Sequence, residues 1–326
     1  MQCPSHNRED TQLEEHAQHR LPAALRLLRP THWVKNLFVF APLVFAGKAL
    51  DPSALVGSGL TFAGFCLLSS AIYSFNDIVD AEEDRLHPRK KSRPVASGEL
   101  SPRSAGVLMV VALVCGCVLI AVASRGLLVL AACFLALHVV YTLWLKRCML
   151  VDVMCIAAGF VLRAVAGGIA VGVPVSLWLL ACTFTLCLFL GFGKRRCEVA
   201  ALDREGASDH RETLYYYSLR LLDHLLSVTA GLAVVTYLLY TVQPRTIEKL
   251  KTPYLLFSVP FVIYCIFRMT LRMEAGEVDG PTQVVIRDKP FIASFLLWVV
   301  YVVCVVTWGP EIQAYVGGLT GKVLEW

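Results

Sequence analysis

The sequence predicts an all-α, polytopic integral membrane protein, and three observations support this fold class. Of the 326 residues, 56% are hydrophobic and only 17% are charged, and the mean hydropathy is +0.61. Apolar stretches of membrane-spanning length recur along the chain, and the positive charges gather in alternate connecting loops. A soluble protein of this length would carry more charge, so we expect about nine transmembrane helices.

The nine predicted spans are each apolar over a length that suits a hydrocarbon core of roughly 30 Å. They lie at 34–50, 57–79, 104–123, 126–145, 151–172, 175–193, 217–242, 253–272 and 290–308. The first is short and contains Pro42, so we expect that helix to be kinked or tilted. One membrane domain is therefore predicted at 25–308. It is flanked by a polar tail at 1–24, which lacks the apolar core of a signal peptide, and a C-terminal tail at 309–326.

Charge distribution predicts which side of the membrane each loop faces. Clusters of basic residues follow the second, fourth, sixth and eighth spans, at 85–103, 146–147, 194–211 and 268–289. The loops after the first and third spans carry only Lys48 and Arg125, whereas Arg245, Lys249 and Lys251 after the seventh span are an exception. Basic loops are typically cytoplasmic, so we expect a multi-pass plasma-membrane protein with its active site and N-terminus on the cytoplasmic side. The net charge of +5 thus reflects topology, and we expect no nucleic-acid partner.

Cysteine usage gives no sign of a metal centre or a disulfide framework. Most of the twelve cysteines lie in apolar runs, where they behave as small hydrophobic residues. There is no C-x-x-C pair, and the eight histidines do not group with cysteines at zinc-ligand spacing. We therefore expect no structural zinc.

An acidic stripe follows the second span. On a helix that turns about 100° per residue, Asp77, Asp80 and Asp84 lie at roughly 0°, 300° and 340°, and Asn76 lies near 260°. Three like charges on one face are unfavourable near a bilayer unless a cation lies among them, and Mg²⁺ prefers such oxygen ligands. We therefore predict that the three aspartates bind Mg²⁺, with Asn76 beside them. The alternative is a solvated acidic helix end paired with the basic residues that follow it, Arg85, Arg89, Lys90, Lys91 and Arg93.

Basic residues near both acidic and apolar segments are candidates for binding phosphate. Arg85, Lys91 and Arg93 follow the stripe directly. Arginine binds phosphate through two parallel hydrogen bonds, and lysine acts as a point charge. A second cluster after the sixth span comprises Lys194, Arg195 and Arg196, with Glu198 on the same helical turn. For this second cluster, the alternative is an anchor that contacts lipid headgroups.

Further candidates lie at the ends and in the middle of other spans. Lys35 and Asn36 open the first span, Tyr141 and Lys146 close the fourth, and Asp152 begins the fifth. Arg163 lies about halfway along the fifth span, where an exposed charge would cost several kcal/mol, so we expect it to face inward. The small residues that surround Arg163 could instead serve close helix packing, and these are Ala164, Ala166, Gly167 and Gly168.

A coarse internal repeat suggests where these residues meet. The two long charged loops, after the second and sixth spans, lie four helices apart. This spacing suggests two related halves around one central cavity.

Five motifs together resemble the UbiA superfamily of intramembrane transferases. They are LRPTHWVKNLFVFAPLVFAG at 28–47, the N-D-x-x-D-x-x-x-D loop with HPRKKSRPVASGELS, GFVLRAVAGG, FGKRRCE, and VVIRDKPF at 284–291. The resemblance covers about residues 25–308 and is strongest to the decaprenyl-phosphate phosphoribosyltransferase branch. It implies a nine-helix bundle whose cavity opens to the cytoplasm and the bilayer. It also implies Mg²⁺-dependent transfer of 5-phosphoribose from phosphoribosyl pyrophosphate (PRPP) to a polyprenyl phosphate, for lipid-linked arabinose donors and cell-wall glycan.

One departure from the wider superfamily favours this branch. Aromatic prenyltransferases of this fold carry a second D-x-x-x-D stripe after the sixth span, where this chain has KRRCE. Glu198 and Asp203 lie about 140° apart on a helix and do not replace that stripe. A cationic cluster suits the phosphates of PRPP or of the lipid better than a second metal would. The alternatives are an aromatic prenyltransferase, such as a 4-hydroxybenzoate polyprenyltransferase, and a cation-coupled transporter, whose charges would lie nearer the bilayer midplane.

By this resemblance, the aspartate stripe with Asn76 holds Mg²⁺ on the pyrophosphate of PRPP. The cations divide between the ribose 5-phosphate and the lipid phosphate, and Glu198 orients ribose hydroxyls. The cations concerned are Lys35, Lys146, Arg163, Lys194, Arg195 and Arg196. Membrane lipid is an expected partner, and a homo-oligomer is possible.

Overall fold

The computed structural model describes residues 22–86, 90–205 and 217–320, with side chains omitted at 202–205 and 316–320. Arg89 and the side chain of Asp203 lie outside these described parts, as does most of the predicted N-terminal tail. The described residues form helices and connecting turns without a β-strand. The α-helices are α1 (Ala23–Leu28), α2 (Ala41–Phe45), α3 (Pro52–Val79), α4 (Ala81–Leu86), α5 (Pro102–Ala123), α6 (Leu127–Leu143), α7 (Val151–Val171), α8 (Leu177–Glu205), α9 (Leu219–Val242), α10 (Pro244–Leu250), α11 (Val259–Glu274), α12 (Pro281–Arg287) and α13 (Lys289–Thr320).

Seven segments within the described residues are long and apolar enough to cross a membrane. Six of them lie in helices α3, α5, α7, α8, α9 and α13, and the seventh is Tyr254–Glu274, which joins a 3₁₀ turn to α11. Helix α6 is apolar but shorter, with 17 residues. The structure confirms a helical integral membrane protein and agrees with the predicted positions of the second to ninth spans, although the count of nine is approximate.

The first predicted span, 34–50, is not one helix. It consists of a 3₁₀ segment, Pro30–Phe40, followed by the short helix α2, and we call Pro30–Phe45 the broken segment. Pro42 has no amide hydrogen to donate to the preceding turn, so it lies in the first turn of a new helix. Asn36 and Val39 of the broken segment are fully buried.

The broken segment packs directly on α7 because α7 carries glycine at the contact. A Cβ atom at Gly167 would lie 1.9 Å from the carbonyl oxygen of Val39, closer than any nonbonded contact allows. Gly167→Ala is therefore expected to push the broken segment away and to destabilise the protein by about 1–3 kcal/mol or more. Thermal unfolding in detergent measures this loss. Gly231→Ala in α9 is the matched control, because nothing lies within 4 Å of its Cβ position; equal melting temperatures for the two variants would contradict the packing.

Side-chain contacts join three helix pairs at one end of the bundle. We call this end the charged-loop side. Asp80, just after α3, contacts Lys146 after α6, and Arg195 in the second half of α8 contacts Asp152 at the start of α7. Arg196 donates to the carbonyl of Met273 near the end of α11. The basic loops that were predicted to share one side of the membrane therefore meet, and the candidate site lies among them.

Candidate active site

The acidic stripe lies at the junction of α3 and α4 and keeps its predicted geometry. The amide of Asp80 donates to the carbonyl of Asn76, and the amide of Asp84 donates to that of Asp80, so the helical path continues through the junction. Asp77, Asp80 and Asp84 are buried, with 1%, 6% and 3% of their surface exposed. The interpretation as a solvated acidic helix end therefore does not describe these three side chains.

Each of the three buried carboxylates has a basic partner. Arg29 contacts Asp77 at 2.5 Å, and Lys146 contacts Asp80 at 2.5 Å. Arg93 bridges the other pair, with its Nη1 atom 3.2 Å from Asp77 and 2.5 Å from Asp84. These ion pairs offset the cost of burying three negative charges on one face.

The fit of a magnesium ion to this stripe depends on the oxygen atoms that these cations leave unused. Among the described residues, no group of three or more His, Cys, Asp or Glu side chains is close enough to form a ready-made metal site. However, Asp77 Oδ2 and Asn76 Oδ1 are buried and lack a hydrogen-bond partner within the described part of the chain. Mg²⁺ commonly uses one or two carboxylates and takes its remaining ligands from water and phosphate. The stripe thus fits an ion shared with a diphosphate better than an ion held by protein alone.

Arg29 and His32 are two site residues that the motif analysis did not single out. Arg29 adopts a left-handed conformation (φ 51°), which turns its guanidinium toward Asp77 and over the ring of Tyr73, 5.1 Å from the centroid. Burial lowers the pKa of Arg29, and the nearby Asp77 carboxylate opposes that shift. His32 lies 5.4 Å from Tyr73, ring to ring, and its Nδ1 atom is buried without a partner among the described residues. Both lie in the RPTHWVKN motif, and their position beside Lys35 was the available signal.

His32 feels the positive charges of both basic groups. Burial, and then the positive charges of Lys35, Arg29, Lys194 and Arg93, lower the pKa of His32 to about 2. Arg93 contacts the stripe, whereas Lys194 belongs to α8. His32 is therefore neutral at physiological pH.

Arg163 faces inward as predicted, but its contacts are with neutral groups. Its guanidinium donates to Asn36 Oδ1 at 2.6 Å, to the carbonyl of Gly159 at 2.9 Å and to Ser69 Oγ at 3.2 Å. It also stacks between Phe134 and Phe160, at 4.5 and 5.1 Å from the ring centroids. Arg163 thereby ties the broken segment, including Asn36 and the half-buried Lys35 next to it, to α3 and α7.

The three consecutive cations of α8 do not share one face. Successive residues on a helix are about 100° apart, so Lys194, Arg195 and Glu198 can face one side while Arg196 faces another. Arg195 contacts Glu198 at 2.5 Å and Lys194 contacts Glu198 at 3.6 Å. Arg196 instead contacts Asp223 of α9 at 2.5 Å. Lys194, Arg195 and Glu198 form what we call the α8 cluster, and Arg196 lies outside it.

The remaining predicted residues lie at different distances from the buried centre. Tyr141 accepts a 3.4 Å hydrogen bond from Arg195 Nη2, which places it beside the α8 cluster. Arg85 donates to the carbonyl of Ala96 at 3.3 Å, and both Arg85 and Lys91 are exposed. Arg93 therefore makes the direct contacts with the stripe, and the other two lie at the edge of the site.

The described helices of membrane-spanning length thus carry a buried acidic stripe and, on the same charged-loop side, the α8 cluster. The model of the UbiA prenyltransferase family matches residues 37–295. The chain therefore belongs to the UbiA prenyltransferase family.

Relatives and solved structures give the finer comparison. The chain is 32% identical over 292 residues to a decaprenyl-phosphate phosphoribosyltransferase of Mycolicibacterium smegmatis, covering 84% of this chain and 89% of the relative. It is also 32% identical over 304 residues to the protein of that name from Corynebacterium glutamicum, covering 91% of each chain. A UbiA homolog from Archaeoglobus fulgidus, solved bound to DMAPP and Mg²⁺, superposes with a TM-score of 0.68 at 19% identity, covering 88% of this chain and 99% of that one. This last match concerns the fold alone.

Proposed function

We propose that the protein transfers 5-phosphoribose from PRPP to a polyprenyl phosphate and releases pyrophosphate. The observation that carries this proposal is the α8 cluster, in which Lys194 and Arg195 both contact Glu198. It lies after the sixth predicted span, where the aromatic prenyltransferases that this chain resembles carry a second acidic stripe. PRPP carries a phosphate group at each end. Its binding site therefore needs a metal-binding end and a cationic end. The names of the similar phosphoribosyltransferases support the same reaction.

The acidic stripe is proposed to bind the pyrophosphate of PRPP. Asp77 Oδ2 and Asn76 Oδ1 would contact a Mg²⁺ ion, with Asp80 and Asp84 as the other carboxylates of the site. When bound, Mg²⁺ would neutralise the negative charge that develops on the leaving pyrophosphate. Arg29 and Arg93 already contact the stripe, so they would also donate hydrogen bonds to pyrophosphate oxygens.

The α8 cluster and its neighbours are proposed to bind the ribose 5-phosphate and the lipid phosphate. Lys35 and Lys194 supply point charges, and Arg195 supplies the planar guanidinium that recognises phosphate through paired hydrogen bonds. Glu198, at the exposed edge of the cluster, would orient the ribose hydroxyls. Arg163 would act through Asn36 and hold the broken segment that carries Lys35.

The chemical step needs positioning more than proton transfer. The bond between ribose C1 and the pyrophosphate oxygen breaks, and a bond forms between C1 and an oxygen of the lipid phosphate. That phosphate is already anionic near neutral pH, so no general base is required to activate it. The buried cations hold the two phosphate-bearing substrates in line, which lowers the entropic part of the barrier.

The orientation in the cell follows from the same charges. The charged-loop side carries the site and the basic loops, so we propose that it faces the cytoplasm. A charged phosphorylated sugar such as PRPP dissolves in that aqueous compartment. The membrane concerned is proposed to be the plasma membrane, and the product a precursor of lipid-linked pentose donors for surface glycan.

Removal of the metal gives a direct prediction. Incubation of the detergent-purified protein with Mg²⁺, PRPP and decaprenyl phosphate should yield a lipid-linked phosphopentose and pyrophosphate in equal amounts. An excess of EDTA should abolish both products, because charge on the leaving group would then be stabilised by side chains alone. Restoring Mg²⁺ should recover the rate, which controls for denaturation. Full turnover in EDTA would contradict the role given to the acidic stripe.

A further inference from the structure

We propose that Asp152, held by Tyr217, is a positioning residue that orients Arg195 toward the phosphate of the donor. This inference rests on the proposed function and adds two residues to it. Asp152 is the first acidic residue of α7 and is fully buried, and Tyr217 lies two residues before α9. Neither side chain is close to the acidic stripe in sequence, and no phosphate-binding motif includes them.

Both oxygen atoms of Asp152 are occupied. Its Oδ2 atom accepts from Arg195 Nε at 2.7 Å, and its Oδ1 atom accepts from the hydroxyl of Tyr217 at 3.1 Å. The Tyr217 hydroxyl in turn accepts from the backbone amide of Leu150 at 2.7 Å. Leu150 has φ 66°, in the left-handed region, so the turn before α7 is held in an uncommon conformation that aims this amide at the tyrosine. The orientation of the carboxylate is therefore fixed independently of Arg195.

This arrangement determines which edge of Arg195 remains for a substrate. Asp152 holds the buried Nε edge, and the two terminal nitrogens point toward the more exposed Glu198 and toward Tyr141. The contact with Tyr141 is long, at 3.4 Å, so Nη2 is the least committed donor of the guanidinium. A buried guanidinium without a carboxylate on its inner edge would be costly and would turn toward Glu198.

The chain offers a matched control for the pair formed by Asp152 and Arg195. Arg196, one residue further along α8, also contacts a carboxylate through Nε, at 2.5 Å from Asp223. This second pair faces α9 and α11, since Arg196 also donates to the carbonyl of Met273. Breaking either pair costs stability, and the cost is larger at the buried Asp152 than at the half-exposed Asp223. An effect on KM for the donor is expected only at Asp152.

The experiment compares Asp152→Asn with Asp223→Asn in steady-state kinetics, with PRPP and polyprenyl phosphate varied separately. Asp152→Asn should raise KM for PRPP by about tenfold or more, while KM for the lipid changes little. Tyr217→Phe, which removes one hydroxyl and keeps the ring, should raise KM for PRPP by about threefold. Asp152→Glu should recover part of the loss, and Asp223→Asn should leave both KM values unchanged.

Two different failures are distinguishable in this design. An active wild type with an unchanged KM for PRPP in both Asp152→Asn and Tyr217→Phe would overturn the positioning role alone. Equal changes in Asp152→Asn and Asp223→Asn would overturn it as well, because the effect would then be one of general stability. A folded wild type that turns over no PRPP would overturn the proposed function together with this inference. If Asp152→Asn does not fold, Tyr217→Phe decides the matter.

Discussion

Asp77→Asn is expected to lower kcat/KM for PRPP by about 10²–10³-fold or more, which would be the largest effect of any single substitution. Asp77 is the buried carboxylate at the centre of the stripe and contacts both Arg29 and Arg93. Its Oδ2 atom is the unpartnered oxygen that is proposed to contact the metal. Asparagine keeps the shape and one acceptor oxygen but removes the charge, so the metal and the two arginines would lose a negatively charged partner.

Steady-state kinetics at several Mg²⁺ concentrations measures this effect. The expected signature is an activity that needs much more Mg²⁺ than the wild type. Glu82→Gln is the control, because Glu82 lies on α4 close to the stripe in sequence but is exposed. If Asp77→Asn retained wild-type activity and Mg²⁺ dependence while folded, the metal-site hypothesis would be wrong.

Arg163→Lys is expected to have the second largest effect, on stability as well as activity. Lysine keeps the positive charge but cannot replace a fork that reaches Asn36, Ser69 and the carbonyl of Gly159 at once. It also loses much of the stacking between Phe134 and Phe160. We expect a loss of roughly 2–4 kcal/mol in the free energy of unfolding, since buried polar groups would lack partners.

Thermal unfolding in detergent and activity assays measure the two parts of this effect. Arg245→Lys is the control, because Arg245 is exposed at the other end of the bundle. A double-mutant cycle with Asn36→Ala tests whether Arg163 acts through Asn36. If it does, the losses of stability in the two single variants should be far from additive in the double variant. Additive losses would contradict a role for Arg163 as the anchor of the broken segment.

The membrane fold was predictable because hydropathy alone determines which segments can cross a bilayer. The first span was the exception, and its structure depends on information that is distant in sequence. Pro42 indicated a break, but the contacts of Val39 with Gly167 and of Asn36 with Arg163 on α7 explain where the segment packs. Local composition cannot reveal such a contact between two helices.

The candidate site shows the same division between local and distant information. Helical periodicity predicted that Asp77, Asp80 and Asp84 share a face, because their spacing is local. The pairing of Asp80 with Lys146 joins residues 66 positions apart and was not predictable from spacing. Sequence adjacency was misleading for Arg195 and Arg196, because rotation along α8 directs their side chains to different neighbours.

The identity of the donor is the central claim, and product analysis by mass spectrometry tests it most directly. The purified protein would be given Mg²⁺ and decaprenyl phosphate with PRPP in one reaction, and a prenyl diphosphate with 4-hydroxybenzoate in another. We expect a lipid whose mass increases by one phosphoribosyl group in the first reaction and no prenylated aromatic product in the second. A prenylated aromatic acid, with no phosphoribosylated lipid, would contradict the proposed function and the role assigned to the α8 cluster.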